Sequence, residues 1–221
     1  GLNLIWRINK LFKGILTIII ISIIIIIATT IYFTITYPLS YKKSINIYSE
    51  KYNVDPYLVA AIINVESNYD KDAISPKSAR GLMQISSTTG YWAAEALKIE
   101  DFDLDLLFDP EINIMVGTWY LDVLSKEFDN NLQLILAAYN GGSGNVKKWL
   151  TNNEYCEDGA YLKKIPFKET EQYVEKVLKN VKVYKTLYKD ELDKPAIHEE
   201  NNFLAVVHNL RKVIKSLVVN K

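Results

Sequence analysis

Cysteine and histidine are scarce in this sequence. Cys156 is the single cysteine in 221 residues, which excludes an internal disulfide framework and offers no cysteine metal cluster. The two histidines, His198 and His208, both lie near the C-terminus, so the sequence has few side chains suited to a zinc site or a histidine-dependent triad. We therefore expect no metal and no cofactor, and any chemistry must depend mainly on carboxylates, hydroxyls and amides.

The sequence also lacks an excess of either charge sign. It has 26 basic and 26 acidic side chains, for a formal net charge of zero. Because a broad nucleic-acid-binding surface normally needs a basic excess, we expect no nucleic-acid partner. With 49% hydrophobic and 24% charged residues, the composition is that of a globular protein long enough to bury one sizeable core.

One long apolar run lies near the N-terminus. Residues 15–37 contain no charge and are rich in isoleucine, and at ~1.5 Å per residue they are long enough to cross a hydrocarbon core of ~30 Å. We predict a short cytoplasmic N-terminus (1–14), a single-pass anchor in the cell membrane (15–37) and an extracytoplasmic remainder, since Arg7, Lys10 and Lys13 precede the run without any acid. A cleaved signal peptide is the alternative, although its apolar region is usually only ~7–15 residues long.

The middle of the chain has the patterning of helices. Asp-Pro pairs at 55–56 and 109–110 predict helix starts, because the aspartate can cap free N–H groups and proline suits the first turn. Asn131 can cap a further helix in the same way. No run shows the strict alternation of a half-buried strand. The sequence therefore predicts an all-α domain over residues 45–190.

Residues 191–221 differ from that domain in composition. The polar, proline-broken stretch DELDKPAIHEENN is typical of a linker, and the apolar residues of FLAVVHNLRKVIKSLVV fall on one face of a helix. We consider three roles for this amphipathic C-terminal helix: packing on the domain, binding a membrane surface, and binding a cell-wall or secretion-machine partner.

The stretch AAIINVESNYD places a carboxylate on the apolar side of a predicted helix. In a helix over 55–67, Glu66 projects between Ile62 and Val59. Lost solvation and the negative end of the helix dipole both raise the pKa of a carboxyl group there, as a general acid requires near neutral pH. The alternative is a boundary glutamate that reaches water or pairs with Arg80 or a lysine.

Three further segments set polar side chains among apolar neighbours. ARGLMQIS contains Gln84, AAYNGGSGN contains Tyr139 and Asn140, and IPFKETEQYV contains Glu169. Singly, each has a structural explanation. Gln84 could cap a helix, Asn140 with its following glycine could end one, and Tyr139 could be a core aromatic. Ser75, before a proline, could be a turn residue.

Taken in order, these motifs resemble those of a known family. The succession ES, SPKSARGLMQIS, DPEINIMVGTWYL, AAYNGGSGNV and IPFKETEQYV is similar to the soluble lytic murein transglycosylase family over about residues 45–188. The resemblance implies an all-α, lysozyme-like catalytic domain following the N-terminal transmembrane helix. It also implies non-hydrolytic cleavage of the β-1,4 bond between N-acetylmuramic acid and N-acetylglucosamine in peptidoglycan glycan strands, which leaves anhydro-muramic acid ends.

The resemblance also assigns roles to individual residues. It implies that Glu66 is the sole catalytic acid, which protonates the departing oxygen and then acts as base on the C6 hydroxyl of muramic acid. It further implies a group of substrate-binding residues, namely Ser75, Gln84, Tyr139, Asn140 and Glu169. Alternative functions are a goose-type lysozyme-like hydrolase, which would deliver water, and a non-catalytic glycan-binding module.

The chain departs from the family pattern at two places. Ser86 replaces an apolar residue of the family's cleft, which leaves the packing of sugar there open. AYNGG stands in place of the commoner AYNAG, a small change that should leave the turn able to form.

Overall fold

The computed structural model describes residues 2–189 and 191–192. The chain divides into two compact units, with the boundary between Pro38 and Leu39. The predicted linker and amphipathic helix, 191–221, lie outside the described residues except for 191–192.

The first unit contains helix α1 (Leu2–Thr36), which is continuous over 35 residues. Its segment Trp6–Thr36 is long and apolar enough to cross a membrane by length and composition, and none of it is buried inside the protein. Its hydroxyl side chains bond to carbonyl oxygens four residues earlier, as Thr17 and Ser22 do at 2.9 Å. Such bonds satisfy the hydroxyls without water, as a hydrocarbon surrounding requires.

The second unit is also helical. Its elements are α2 (Lys42–Tyr52), α3 (Pro56–Ser67), α4 (Ser87–Leu97), a 3-10 helix (Leu104–Phe108), α5 (Pro110–Glu127), α6 (Leu132–Gly141), α7 (Ser143–Leu150) and α8 (Lys168–Leu187). The only extended pairings in the described part of the chain are isolated β-bridges, and no strand forms there. The predicted all-α class is confirmed.

The predicted helix starts are confirmed as well. Asp55, Asp109 and Asn131 each accept hydrogen bonds from backbone N–H groups in the first turn of α3, α5 and α6. These side chains occupy donors that would otherwise lack partners at a helix N-terminus. The glycine-rich stretch interrupts the helices only at Gly142, between α6 and α7.

Helix α8 positions the ends of two other helices. It packs on both α3 and α6, and α6 also packs on α5 and α7. Within α3 the residues from Val59 to Ile63 are completely buried. A buried hydrogen bond from the Asn180 amide to the Asn64 side-chain oxygen, 2.8 Å long, joins α8 to α3. The C-terminal ends of α3 and α6 are thereby held against α8, and these ends carry Glu66 and Tyr139.

Candidate active site

Glu66 lies in the last turn of α3 and is half-buried. Burial raises the pKa of its carboxyl from the ordinary 4.5 to about 7, against the opposing effects of the Tyr173 hydroxyl and the Lys176 ammonium. The negative charge of Glu169 adds a smaller upward effect. Since burial outweighs the opposing effects, the raised pKa predicted from the sequence is confirmed. A large fraction of Glu66 therefore carries its proton at neutral pH.

Tyr173, on α8, is a site residue that the sequence analysis missed. Its hydroxyl is buried and makes no hydrogen bond of standard geometry within the described residues. It lies close enough to the Glu66 carboxyl to act on it as a donor. Burial and the nearby Glu66 charge raise the pKa of Tyr173 well above its usual value, so it stays protonated. Its position four residues after Glu169 puts both side chains on one helix face, which was the available signal.

Tyr139 lies at the C-terminal end of α6, and its hydroxyl donates to the Met83 carbonyl oxygen at 2.9 Å. Burial and the charges of Glu66 and Tyr120 raise the pKa of Tyr139 well above its usual value. The ring is therefore not simply a core aromatic. Its hydroxyl joins α6 to the segment that contains Gln84, within electrostatic reach of Glu66.

Asn140 joins two of the predicted motifs. Its side-chain oxygen accepts a hydrogen bond of 2.8 Å from the hydroxyl of Thr170, which is buried in the first turn of α8. The neighbouring Glu169 is exposed, and its charge acts on Glu66. The AAYNGG and PFKET segments therefore meet near the acid.

Gln84 does not cap a helix, so that alternative is wrong. Its amide nitrogen donates to the carbonyl oxygens of Ala73 and Gly81, at 3.0 and 2.9 Å, and closes the loop that precedes it. Ser86 caps α4 instead, because its hydroxyl accepts the Thr89 N–H at 3.1 Å. The residue that departs from the family pattern thus has a structural role in this chain.

Arg80 is not the partner of Glu66, so that part of the structural alternative is wrong. Its guanidinium lies 3.6 Å from the Asp105 carboxylate and covers the Phe108 ring. Among the described side chains Glu66 forms no ion pair, and Lys176 acts on it only at longer range.

Ser75 stabilises a turn. Its hydroxyl oxygen accepts the backbone N–H groups of Lys77 and Ala79, at 3.2 and 3.0 Å. The structure does not bring Ser75 into the cleft beside Tyr139. Its predicted contact with substrate stays a prediction.

Asn113, fully buried on α5, is a second residue that the sequence analysis missed. Its side-chain oxygen accepts the Met83 N–H at 2.7 Å, and its amide donates to the carbonyl oxygens of Arg80 and Leu107, at 2.9 and 2.7 Å. Gly81 has a φ of +74°, and a Cβ there would collide with the Asn113 amide and the Leu107 carbonyl. Asn113 therefore fixes the loop on which Met83 meets Tyr139. Its signal in the sequence was a polar residue directly between the apolar residues Ile112 and Ile114 of DPEINIM.

The segments ARGLMQIS and AAYNGGSGN border a cleft of about 290 Å³. Its lining comes from the Gln84 segment, the start of α4, one tyrosine of α5 and the end of α6, namely Gln84, Ile85, Ser86, Thr89, Tyr120, Ala138, Tyr139, Asn140, Gly141 and Gly142. Three of the predicted site residues are in this lining. Glu66 is not in it, but its charge acts on Tyr139, which is. Within the described residues, no cluster of His, Cys, Asp and Glu side chains is arranged to hold a metal ion.

This helical domain and its motif order define a known class of protein. The family model for the transglycosylase SLT domain matches residues 43–161, and the chain belongs to that family. The family predicted from the sequence motifs is therefore confirmed.

Individual relatives share this domain. The chain is 36% identical over 155 residues to a soluble lytic murein transglycosylase of Salmonella typhimurium, across 69% of this chain and 23% of the relative. It is 33% identical over 122 residues to a membrane-bound lytic murein transglycosylase C of Edwardsiella ictaluri, across 48% of this chain and 32% of the relative.

A solved structure is similar as well. The lytic transglycosylase Slt of Pseudomonas aeruginosa, in an inactive Glu-to-Gln mutant form, matches with a TM-score of 0.63 and 29% identity, over 70% of this chain and 25% of that one. The chain spans about a quarter of the length of the soluble relatives that it matches.

Proposed function

We propose that this chain is a peptidoglycan lytic transglycosylase that uses Glu66 as its single acid and base. The observation that carries the proposal is a carboxyl group with a pKa of about 7 beside a cleft lined by Gln84, Tyr139 and Asn140. Two relatives are named lytic murein transglycosylases, and a Glu-to-Gln mutant of a structurally similar lytic transglycosylase is inactive. The substrate is the β-1,4 bond between N-acetylmuramic acid and N-acetylglucosamine.

In the first step, Glu66 acts as the general acid. Its neutral carboxyl donates a proton to the glycosidic oxygen as the bond from that oxygen to C1 of muramic acid breaks. The departing N-acetylglucosamine thereby leaves as a neutral alcohol. The Tyr173 hydroxyl and the positive charge of Lys176 both favour the carboxylate that remains. The N-acetyl group of the muramic acid assists at C1.

In the second step, the same carboxylate acts as the base. It takes the proton of the C6 hydroxyl of muramic acid while the C6 oxygen bonds to C1, which closes the anhydro ring. Glu66 regains its proton, and no water is consumed. This route needs no second carboxylate at C1, whereas the common retaining glycosidase places one ~5–5.5 Å from the acid. Glu169, exposed at the start of α8, has the role of a sugar contact together with Ser75, Gln84, Tyr139 and Asn140.

Digestion of purified peptidoglycan by the 221-residue chain tests the proposal. Mass spectrometry should find soluble fragments with anhydro-muramic acid ends, and Glu66→Gln should lower the release rate at least ~100-fold because the general acid is lost. Glu169→Gln is the matched control, and we expect it to weaken binding while release continues.

Three results would contradict the proposal in different ways. Reducing muramic acid ends would assign the goose-type hydrolytic reaction, and unchanged release by Glu66→Gln would remove Glu66 from its role. Binding to peptidoglycan without any release would indicate a glycan-binding module.

We further propose that α1 anchors the domain to the cell membrane in a single pass, with the N-terminus cytoplasmic and the catalytic domain facing the cell wall. The apolar segment Trp6–Thr36 and the membrane-bound relative support this arrangement. Protease added to intact cells, with the wall made permeable, should cut the domain. A domain that is cleaved only after lysis would contradict the outward orientation.

A further inference from the structure

A line of aromatic rings leads from the cleft to the protein surface. The Tyr139 and Tyr120 ring centroids lie 5.5 Å apart, those of Tyr120 and Trp92 6.1 Å apart, and those of Trp92 and Trp119 4.9 Å apart. Trp92, which contacts both Tyr120 and Trp119, is the exposed member of this line, with 46% of its surface exposed, while Trp119 is half-buried. We use the name aromatic strip for Trp92, Trp119 and Tyr120.

The aromatic strip is continuous with the cleft. Tyr120 belongs to both, since its side chain lines the cleft with Tyr139. Thr89 also lines the cleft, and Trp92 follows it on α4 at a spacing that puts the two side chains on the same face. Helix α4 packs on α5, which carries Trp119 and Tyr120. A ligand that leaves the cleft on this side therefore meets Trp92 next.

The chemistry of the aromatic strip fits an uncharged, partly apolar ligand. Its three side chains carry no charge, and they combine flat apolar rings with indole N–H and phenol O–H groups. The pyranose rings of a glycan present apolar C–H faces bordered by hydroxyls. Aromatic rings bury such faces while their polar atoms and nearby hydroxyls, such as that of Thr89, accommodate the sugar oxygens.

We propose that the aromatic strip is a sugar-binding platform for the part of the glycan strand that extends past the cleaved bond, with Trp92 as its outer contact. The inference rests on the proposed function, because a β-1,4 glycan is an extended polymer and its further sugars must lie on surface next to the cleft. The platform holds a long strand in register. It contributes to binding of long strands more than to the chemical step.

Binding of insoluble peptidoglycan by the Glu66→Gln chain, which should not cleave it, measures the platform. In that background Trp92→Ala should weaken binding roughly three- to tenfold, and Trp92→Phe should retain most of it because a flat ring remains. Tyr91→Ala is the matched control. Tyr91 neighbours Trp92 on α4 and is 55% exposed, but its ring contacts Phe102 instead of the aromatic strip. We expect this control to bind as strongly as its parent.

The active chain provides a second readout. Trp92→Ala should raise KM for long glycan strands while kcat at saturation changes little. Trp92→Leu keeps apolar bulk without a flat ring and should show the same loss, which guards against misfolding of the alanine variant. Equal binding by Trp92→Leu and its parent, or equal losses in Trp92→Ala and Tyr91→Ala, would overturn the inference.

The platform and the proposed activity can fail separately. If the parent chain releases no fragments while Trp92→Ala still weakens binding, the activity is wrong and the platform stands. If the parent releases anhydro fragments and Trp92 variants bind normally, the platform is wrong and the activity stands.

Discussion

Glu66 and Asn113 are both withdrawn from water, but their polar groups are satisfied very differently. Asn113 is fully buried and makes three hydrogen bonds to backbone groups, so its burial stabilises the loop that it holds. Glu66 is half-buried without an ion pair among the described side chains, and its neighbour Tyr173 has a buried hydroxyl without a hydrogen bond of standard geometry. The first arrangement is built for stability. The second costs stability and keeps a proton available.

The largest effect on stability is expected at Asn113. Asn113→Leu keeps a similar branched shape but leaves the Met83 N–H and the Leu107 carbonyl oxygen without a partner, whereas the Arg80 carbonyl oxygen still accepts the Ile85 N–H. Because each unsatisfied buried group costs ~1–3 kcal/mol, we expect the free energy of unfolding to fall by roughly 3–5 kcal/mol. Urea denaturation measures this loss.

The control for this change is Asn153→Leu, at an exposed position, where a change within ~0.5 kcal/mol is expected. Equal stability of Asn113→Leu and the parent would mean that the loop does not depend on Asn113, and the contrast with Glu66 would disappear.

At Glu66 we expect a substitution to raise the free energy of unfolding, whereas Asn113→Leu lowers it. The folded-state pKa of about 7 exceeds the ordinary 4.5, so the folded state holds the proton more tightly than the unfolded state. Below the ordinary pKa both the folded and the unfolded state are protonated, and the folded protein loses no stability. As the pH rises from 4.5 to about 7, the unfolded state ionises first and the folded protein loses stability.

Glu66→Gln does not titrate and should escape this loss. At pH 8 it should be more stable than the parent by about 2 kcal/mol, less than the full pKa difference implies because the carboxyl keeps some contact with water. Thermal or urea unfolding across the pH range should show that the difference in stability between Glu66→Gln and the parent becomes smaller at acid pH. Glu175→Gln, exposed on α8, is the control without such a trend. A stability difference of the same size at every pH would contradict the raised pKa of Glu66.

The smallest effect is expected at Tyr173. Its hydroxyl lowers the pKa of Glu66, so Tyr173→Phe should raise that pKa above its value of about 7. The fall in kcat/KM at alkaline pH should then move to higher pH. Tyr161→Phe, at a position 63% exposed, should leave the profile in place. A shift to lower pH would show that Tyr173 does not donate to Glu66.

Much of the fold was predictable because its signals are local. Asp55, Asp109 and Asn131 begin their helices by bonding to N–H groups only two or three residues away. The apolar stripe of α3 likewise follows from helical spacing, and it put Glu66 on the buried side. One structural alternative taken from such local signals was wrong. Gln84 was considered as a helix cap, but Ser86 has the shorter side chain at the cap position and bonds there instead.

Tyr173 and Asn113 were missed for the opposite reason. Each acts on a group far away in the chain, Tyr173 on Glu66 and Asn113 on the loop from Arg80 to Met83. In the sequence, Tyr173 is one of several aromatic residues on the apolar side of a helix. Its spacing from Glu169 puts it on the same helix face as a predicted site residue, but that spacing does not say that its hydroxyl meets a carboxyl group of another helix.

The sequence by itself therefore determined where the helices begin, which side of each is apolar, and which segments carry polar residues, because capping and periodicity act over a few residues. The tertiary structure alone decided which of those polar groups meet. The Tyr173 hydroxyl and the Lys176 charge of α8, and Tyr139 at the end of α6, come within reach of the Glu66 carboxyl only in the folded chain, because they are distant from it in sequence.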